Sequence, residues 1–155
     1  MNTKDLLKLL TDRCKGVFVG IFACDRLPVR LPHKRPLLIV CNTDPHYKPG
    51  EHWIAMYFGS NGIGEYFHSY GLHPALVFEK YLNYNFCSFI RNEKTLQSVL
   101  SRFCGHYCVF FCLFKMLNYD VNSITNCFTD DTALNDASLE LALSRPLYVI
   151  RLSVE

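Results

Sequence analysis

The spacing of apolar residues along this chain switches between helical and strand periods, and the switches mark out its elements. Leu6, Leu7, Leu9 and Leu10, with Thr3 as a cap, predict a short helix over residues 4 to 14. "GVFVGIFAC" (16 to 24) predicts a strand or extended segment, and Pro28, Pro32 and Pro36 punctuate the loop after it. "PLLIVCNT" (36 to 43) is a continuous apolar run of strand length, the pattern of a strand buried on both faces. "EHWIAMYF" (51 to 58) and "IGEYFHSYG" (63 to 71) flank the turn signal "GSNG", which predicts a hairpin. A helix is expected over 74 to 83, opening near Pro74, then a strand at "FCSFI" (86 to 90). "NEKTLQSVLSR" is polar and reads as a loop or short helix. "CGHYCVFFCLFKMLNY" (104 to 119) predicts a long buried helix, with further helices at 120 to 128 and 132 to 143. Helix, then strands, then helices, with no internal repeat, predicts an α+β domain.

A length of 155 residues suits a single domain spanning 1–155. Half of the residues are apolar and 14% are aromatic, a composition that folds. The net charge of +2 gives no basis for general polyanion binding. The basic stretch "RLPVRLPHKR" (26 to 35) reads as a solvated loop in preference to a nucleic-acid contact. No apolar run reaches the ~20 residues of a membrane span, and "MNTKDLLKLL" has charges where a secretory leader would not. The eight cysteines are therefore expected as reduced thiols in a cytosolic or nuclear setting, most of them small buried hydrophobes.

The stretch "SRFCGHYCVFFCLF" (101 to 114) sets one cysteine apart. Cys104 opens the buried helix, where the positive end of the dipole and unpaired N–H groups favour the reactive thiolate. Gly105 after it would let backbone approach a substrate carbonyl, and the Cys104 N–H could face a developing oxyanion. Cys108 and Cys112 lie one and two turns deeper on the same face and read as packing. A zinc site is not expected, because the usual C-x2-C knuckle is absent. A thiol nucleophile needs a base, and the base an orienting partner. His52 opens a strand, which holds it rigidly. If the hairpin turns about Asn61, residue i pairs with 122 − i. His52 then faces Tyr70 and is the diagonal neighbour of His68. A turn one residue tighter would set 52 opposite 68. Glu65, the nearest carboxylate, points to the other face.

"HW" on a strand, "YFHSYG" closing the next, and Gln97 in "QSVLSRFCG" at Q-x6-C-G spacing together resemble the cysteine-protease clan of adenovirus endopeptidase and the SUMO-specific proteases. The pattern runs from about 36 to 118, and the small size is more similar to the adenovirus-type proteases of viruses and Polinton/Maverick elements. The resemblance implies a papain-related (adenain-like) fold with a central, mostly antiparallel sheet and the nucleophile at the N-terminus of a buried helix. It implies Cys104 as nucleophile, His52 as general base and Gln97 with the Cys104 N–H as the oxyanion hole. Trp53 and Gly105 would shape the substrate groove. It further implies capsid precursor proteins cut near glycine as substrates, no metal and no cofactor. A short activating peptide is implied too, although the cysteine that would bond it has no clear counterpart; Cys87 is nearest in order. Ubiquitin-like proteins are the alternative substrates.

One position departs from the clan. An Asp or Glu is expected where this chain has His68, and a neutral imidazole supplies no negative charge. Three readings stand: His68 is a working third member; it leaves a weakly active enzyme or a non-catalytic binding module; or another group, such as Asp44 or a water, orients His52.

Overall fold

The computed structural model describes residues 1–85 and 88–144. Its elements are α1 (Thr3–Arg13), β1 (Phe18–Ala23), β2 (Leu37–Asn42), β3 (Trp53–Phe58), β4 (Ile63–Phe67), α2 (Leu76–Asn85), β5 (Ser88–Arg91), α3 (Cys104–Met116), α4 (Val121–Thr125) and α5 (Thr132–Ser144). The strands form one sheet in the order β1-β2-β3-β4-β5. Its two central pairings are antiparallel and its two outer pairings parallel.

Every residue of β2 is buried, as its unbroken apolar run predicts. Leu38 and Val40 face α1 and α3, while Leu37, Ile39 and Cys41 face the side covered by Phe78 and Leu82 of α2. The sheet thus has a core on each face. The core against α3 is the one that positions the site. Cys108, Phe111 and Cys112 are sealed into it, and Phe67 of β4 stacks on Phe111 with ring centroids 4.8 Å apart. Burial holds the Cys108 and Cys112 thiols well above the usual range, so they pack and do not react. The other end of α3 is held by an ion pair: Lys115 Nζ lies 2.9 Å from Glu65 Oε1 of β4, both side chains buried, and 4.0 Å from the Tyr57 ring centroid.

The hairpin register is the one the turn arithmetic gives. Ala55 pairs with Phe67, Met56 with Tyr66, Tyr57 with Glu65 and Phe58 with Gly64. β4 ends at Phe67, four residues short of the sequence expectation, because the chain turns at once: the Gly71 N–H bonds the His68 carbonyl at 2.7 Å. Gly71 has φ +67, and a Cβ there would lie 2.3 Å from the Glu93 carbonyl oxygen, so only glycine lets the turn press against the 93–94 backbone. The segment 92–103 is a loop, not a helix. Its polar side chains serve as backbone clamps, described below. The expected strand at 86 to 90 is present over its described part; Cys87 lies outside the described residues.

Candidate active site

A groove of about 500 Å³ is lined by Met1, Gly50, Glu51, His52, Trp53, Tyr70, Gln97, Ser101, Arg102 and Cys104. Three chain segments far apart in sequence meet there: the entry to β3, the turn after β4, and the loop that runs into α3. Cys104 is the first residue of α3 and is partly exposed. Phe103 precedes it as a cap with no side-chain bond to the helix. The first N–H groups of the helix have no intrahelical acceptor.

His52 sits just before β3 and is 9% exposed. Its ring stacks on His68 (centroids 4.4 Å apart, planes at 21°) and on Tyr70 (5.0 Å, 25°). These are the diagonal and facing neighbours that the register demands. The stack changes the reading of His68. An N–H lies in the plane of its ring, so two rings stacked face to face do not hydrogen-bond through it, and His68 Nδ1 instead accepts the Tyr70 N–H at 3.2 Å. The Asp44 carboxylate lies 3.8 Å from Lys48 Nζ. Glu65 is committed to Lys115. The polar side-chain contact to His52 comes from Ser69, whose hydroxyl lies 3.4 Å from Nε2.

Ser69 is buried and also joins the third segment, donating to Gln97 Oε1 at 2.7 Å. Gln97 Nε2 donates to the Ser101 carbonyl at 3.1 Å. The backbone around this pair is clamped. Asn92 takes the His68 N–H (2.9 Å) and gives to the His68 carbonyl (2.7 Å), and the Ser69 carbonyl accepts from the Leu96 and Gln97 N–H groups. Trp53 lines the groove. Gly105 does not. It is buried beneath Trp53 and Met1, and a Cβ there would meet Trp53 Cδ1 at an ordinary 3.5 Å, so it is not a groove wall and steric closeness does not demand glycine. Ser69 and Asn92 are the site residues that sequence reasoning missed; Tyr70 was expected opposite His52 but given no part in the site. The described residues include no cluster of His, Cys, Asp or Glu able to hold a metal. No described helix is long and apolar enough to cross a membrane.

Burial pushes the His52 imidazole down to about 3, helped by the neighbouring His68, and burial alone pushes His68 down to about 4. Both rings are therefore neutral at pH 7, and the base form of His52 is the resting form. The unfolded chain takes up these protons near pH 6.5, whereas the folded chain does so only near 4 and 3. Stability should be undiminished by these rings above pH 6.5 and fall below it, by up to about 1.4 kcal/mol per pH unit for each ring. Urea unfolding between pH 7 and 4.5 measures this; a flat profile there would show that the rings are not held neutral.

No protein-family model and no curated protein matches the sequence. Among solved structures, the crystal structure of the ASFV pS273R protease is similar, with a TM-score of 0.52 and 21% identity over 70% of this chain. The fold is that of this protease. The chain spans 45% of the protease's length, so the likeness concerns the shared α+β core and not the whole of that protein.

Proposed function

We propose that the chain is a cysteine endopeptidase. The observation that carries this reading is the convergence of Cys104, His52 and Gln97 on one groove, with Cys104 at the start of a buried helix. In this mechanism neutral His52 takes the Cys104 thiol proton as sulfur attacks the scissile carbonyl carbon. The carbonyl oxygen, now negative, is met by the second Gln97 N–H and by backbone N–H groups of the helix start. The C–N bond breaks as His52 returns the proton to the leaving amine. Water, deprotonated by His52, then hydrolyses the thioester and restores the thiol.

The fold likeness to a viral protease and the sequence resemblance to adenovirus-type enzymes support polypeptide substrates, with capsid precursors cut near glycine as the first choice. Virion maturation in the host nucleus or cytoplasm is part of this proposal, as is an origin in a virus or Polinton/Maverick-type element. The activating peptide is a lesser part, because the cysteine that would bond it has no clear counterpart in this chain. One observation favours a second reading, a weakly active enzyme or a binding module: the stacked His68 brings no negative charge to His52. Hydrolysis of fluorogenic peptides with glycine before the cut tests the first reading. Replacing Gln97 with Ala should lower kcat by about 10²–10³, the usual cost of one oxyanion donor, with KM little changed. Unchanged kcat would remove Gln97 from the oxyanion hole. Faster turnover of ubiquitin-like Gly-Gly substrates than of capsid-type peptides would move the reading to a deubiquitinase or SUMO-protease type.

A further inference from the structure

We infer that Ser69 is a positioning residue that fixes the tautomer of His52 and couples it to Gln97. This deepens the proposed reaction and rests on His52 being its base. The inference follows from which atoms can give protons. A backbone carbonyl only accepts, so the group of Gln97 facing the Ser101 carbonyl must be the amide NH₂. Oε1 then faces Ser69, and the 2.7 Å contact requires the serine hydroxyl to donate. A hydroxyl has one proton. Having given it to Gln97, Ser69 Oγ can only accept from His52, so the hydrogen of the imidazole is on Nε2. Nδ1 is left without a proton, its lone pair free to accept one, on a ring that lines the same groove as Cys104. The same chain of bonds aligns the Gln97 amide, whose second N–H is not used by the Ser101 contact. One buried hydroxyl thus sets both the base and the oxyanion donor. It supplies direction without charge, in the place where an orienting carboxylate was expected of position 68.

The measurement is the tautomeric state of His52, read from its ring ¹⁵N shifts in the resting protein at pH 7.5 and assigned with His52→Gln. It does not depend on turnover, so it separates failure of this inference from failure of the peptidase reading. Wild type should show Nε2–H and a bare Nδ1. Ser69→Ala should show both tautomers mixed and a kcat lowered by roughly 10- to 100-fold with KM nearly unchanged, short of the ~10⁴ that a fixed wrong tautomer can cost. Gln97→Leu removes the acceptor of the Ser69 hydroxyl and should also reduce the Nε2–H population, whether or not Ser69→Ala folds. A wild-type His52 protonated at Nδ1, or an Nε2–H form unchanged in the variants, would overturn the inference.

Discussion

Replacing Cys104 with alanine should abolish peptide cleavage, a fall in kcat of at least about 10⁴ and up to about 10⁶, while leaving the fold intact. Cys104 is partly exposed at the first turn of α3, and among the described residues no hydrogen bond to its sulfur is seen. The loss should therefore be one of chemistry. None of the other described cysteines can take over. Cys14, Cys41, Cys108 and Cys112 are buried, with burial raising each thiol, and Cys24 and Cys127 line no part of the groove. Replacing His52 with alanine should cost nearly as much, because members of such a unit act together and their losses do not add. Progress curves with a fluorogenic peptide, beside thermal melts of the same samples, check both. Retained cleavage in the Cys104→Ala protein would end the proposed mechanism.

Replacing Lys115 with methionine should destabilise the fold by about 3–5 kcal/mol, the usual cost of leaving a buried charge without its partner. Glu65 would be left unpaired. Its Oε1 would lose the 2.9 Å contact to the ammonium, leaving only the Val121 backbone N–H beside the carboxylate. Burial favours its protonated form, which Lys115 opposes, so the lone carboxyl is expected to take up a proton sooner. Adding Glu65→Gln to Lys115→Met should recover most of the loss, since no charge is then buried. The pair lies at the far end of the helix from Cys104. It anchors α3 to β4, the strand whose exit turn carries His68, Ser69 and Tyr70. Urea unfolding of the two single variants and the double variant measures the coupling. Additive single losses would show that the two groups do not act as a pair.

Much of this was legible in the sequence because it depends on local pattern. The apolar run of β2, the hairpin about Asn61 and the buried helix after Cys104 each follow from spacing that tertiary packing then exploits. The hairpin sum of 122 placed His52 beside both Tyr70 and His68. What the pattern did not give was the contact type. Register sets which Cβ atoms are neighbours, whereas whether two imidazoles stack or hydrogen-bond depends on side-chain torsions. Ser69 was invisible for a related reason. Strand alternation puts 69 on the face opposite 68, but β4 stops at Phe67 and the Gly71 turn swings Ser69 inward. The only sequence signal for that swing was Gly71, and its cause, the close approach of the 93–94 backbone, is a tertiary fact. Asn92 and Glu65 looked like ordinary polar residues, yet each is buried and committed to a specific partner.

The central claim is that Cys104 is a nucleophile activated by His52 in a peptide-binding groove. Its most direct test is mass-spectrometric mapping of the adduct formed with a peptide electrophile ending in Gly-Gly, with the rate compared between wild type and His52→Ala. The mechanism predicts one adduct, on Cys104, forming faster than with a free thiol and slowing at least tenfold when His52 is removed. Label spread over the accessible Cys24 and Cys127 at the bulk-thiol rate, or a Cys104 rate indifferent to His52, would contradict it.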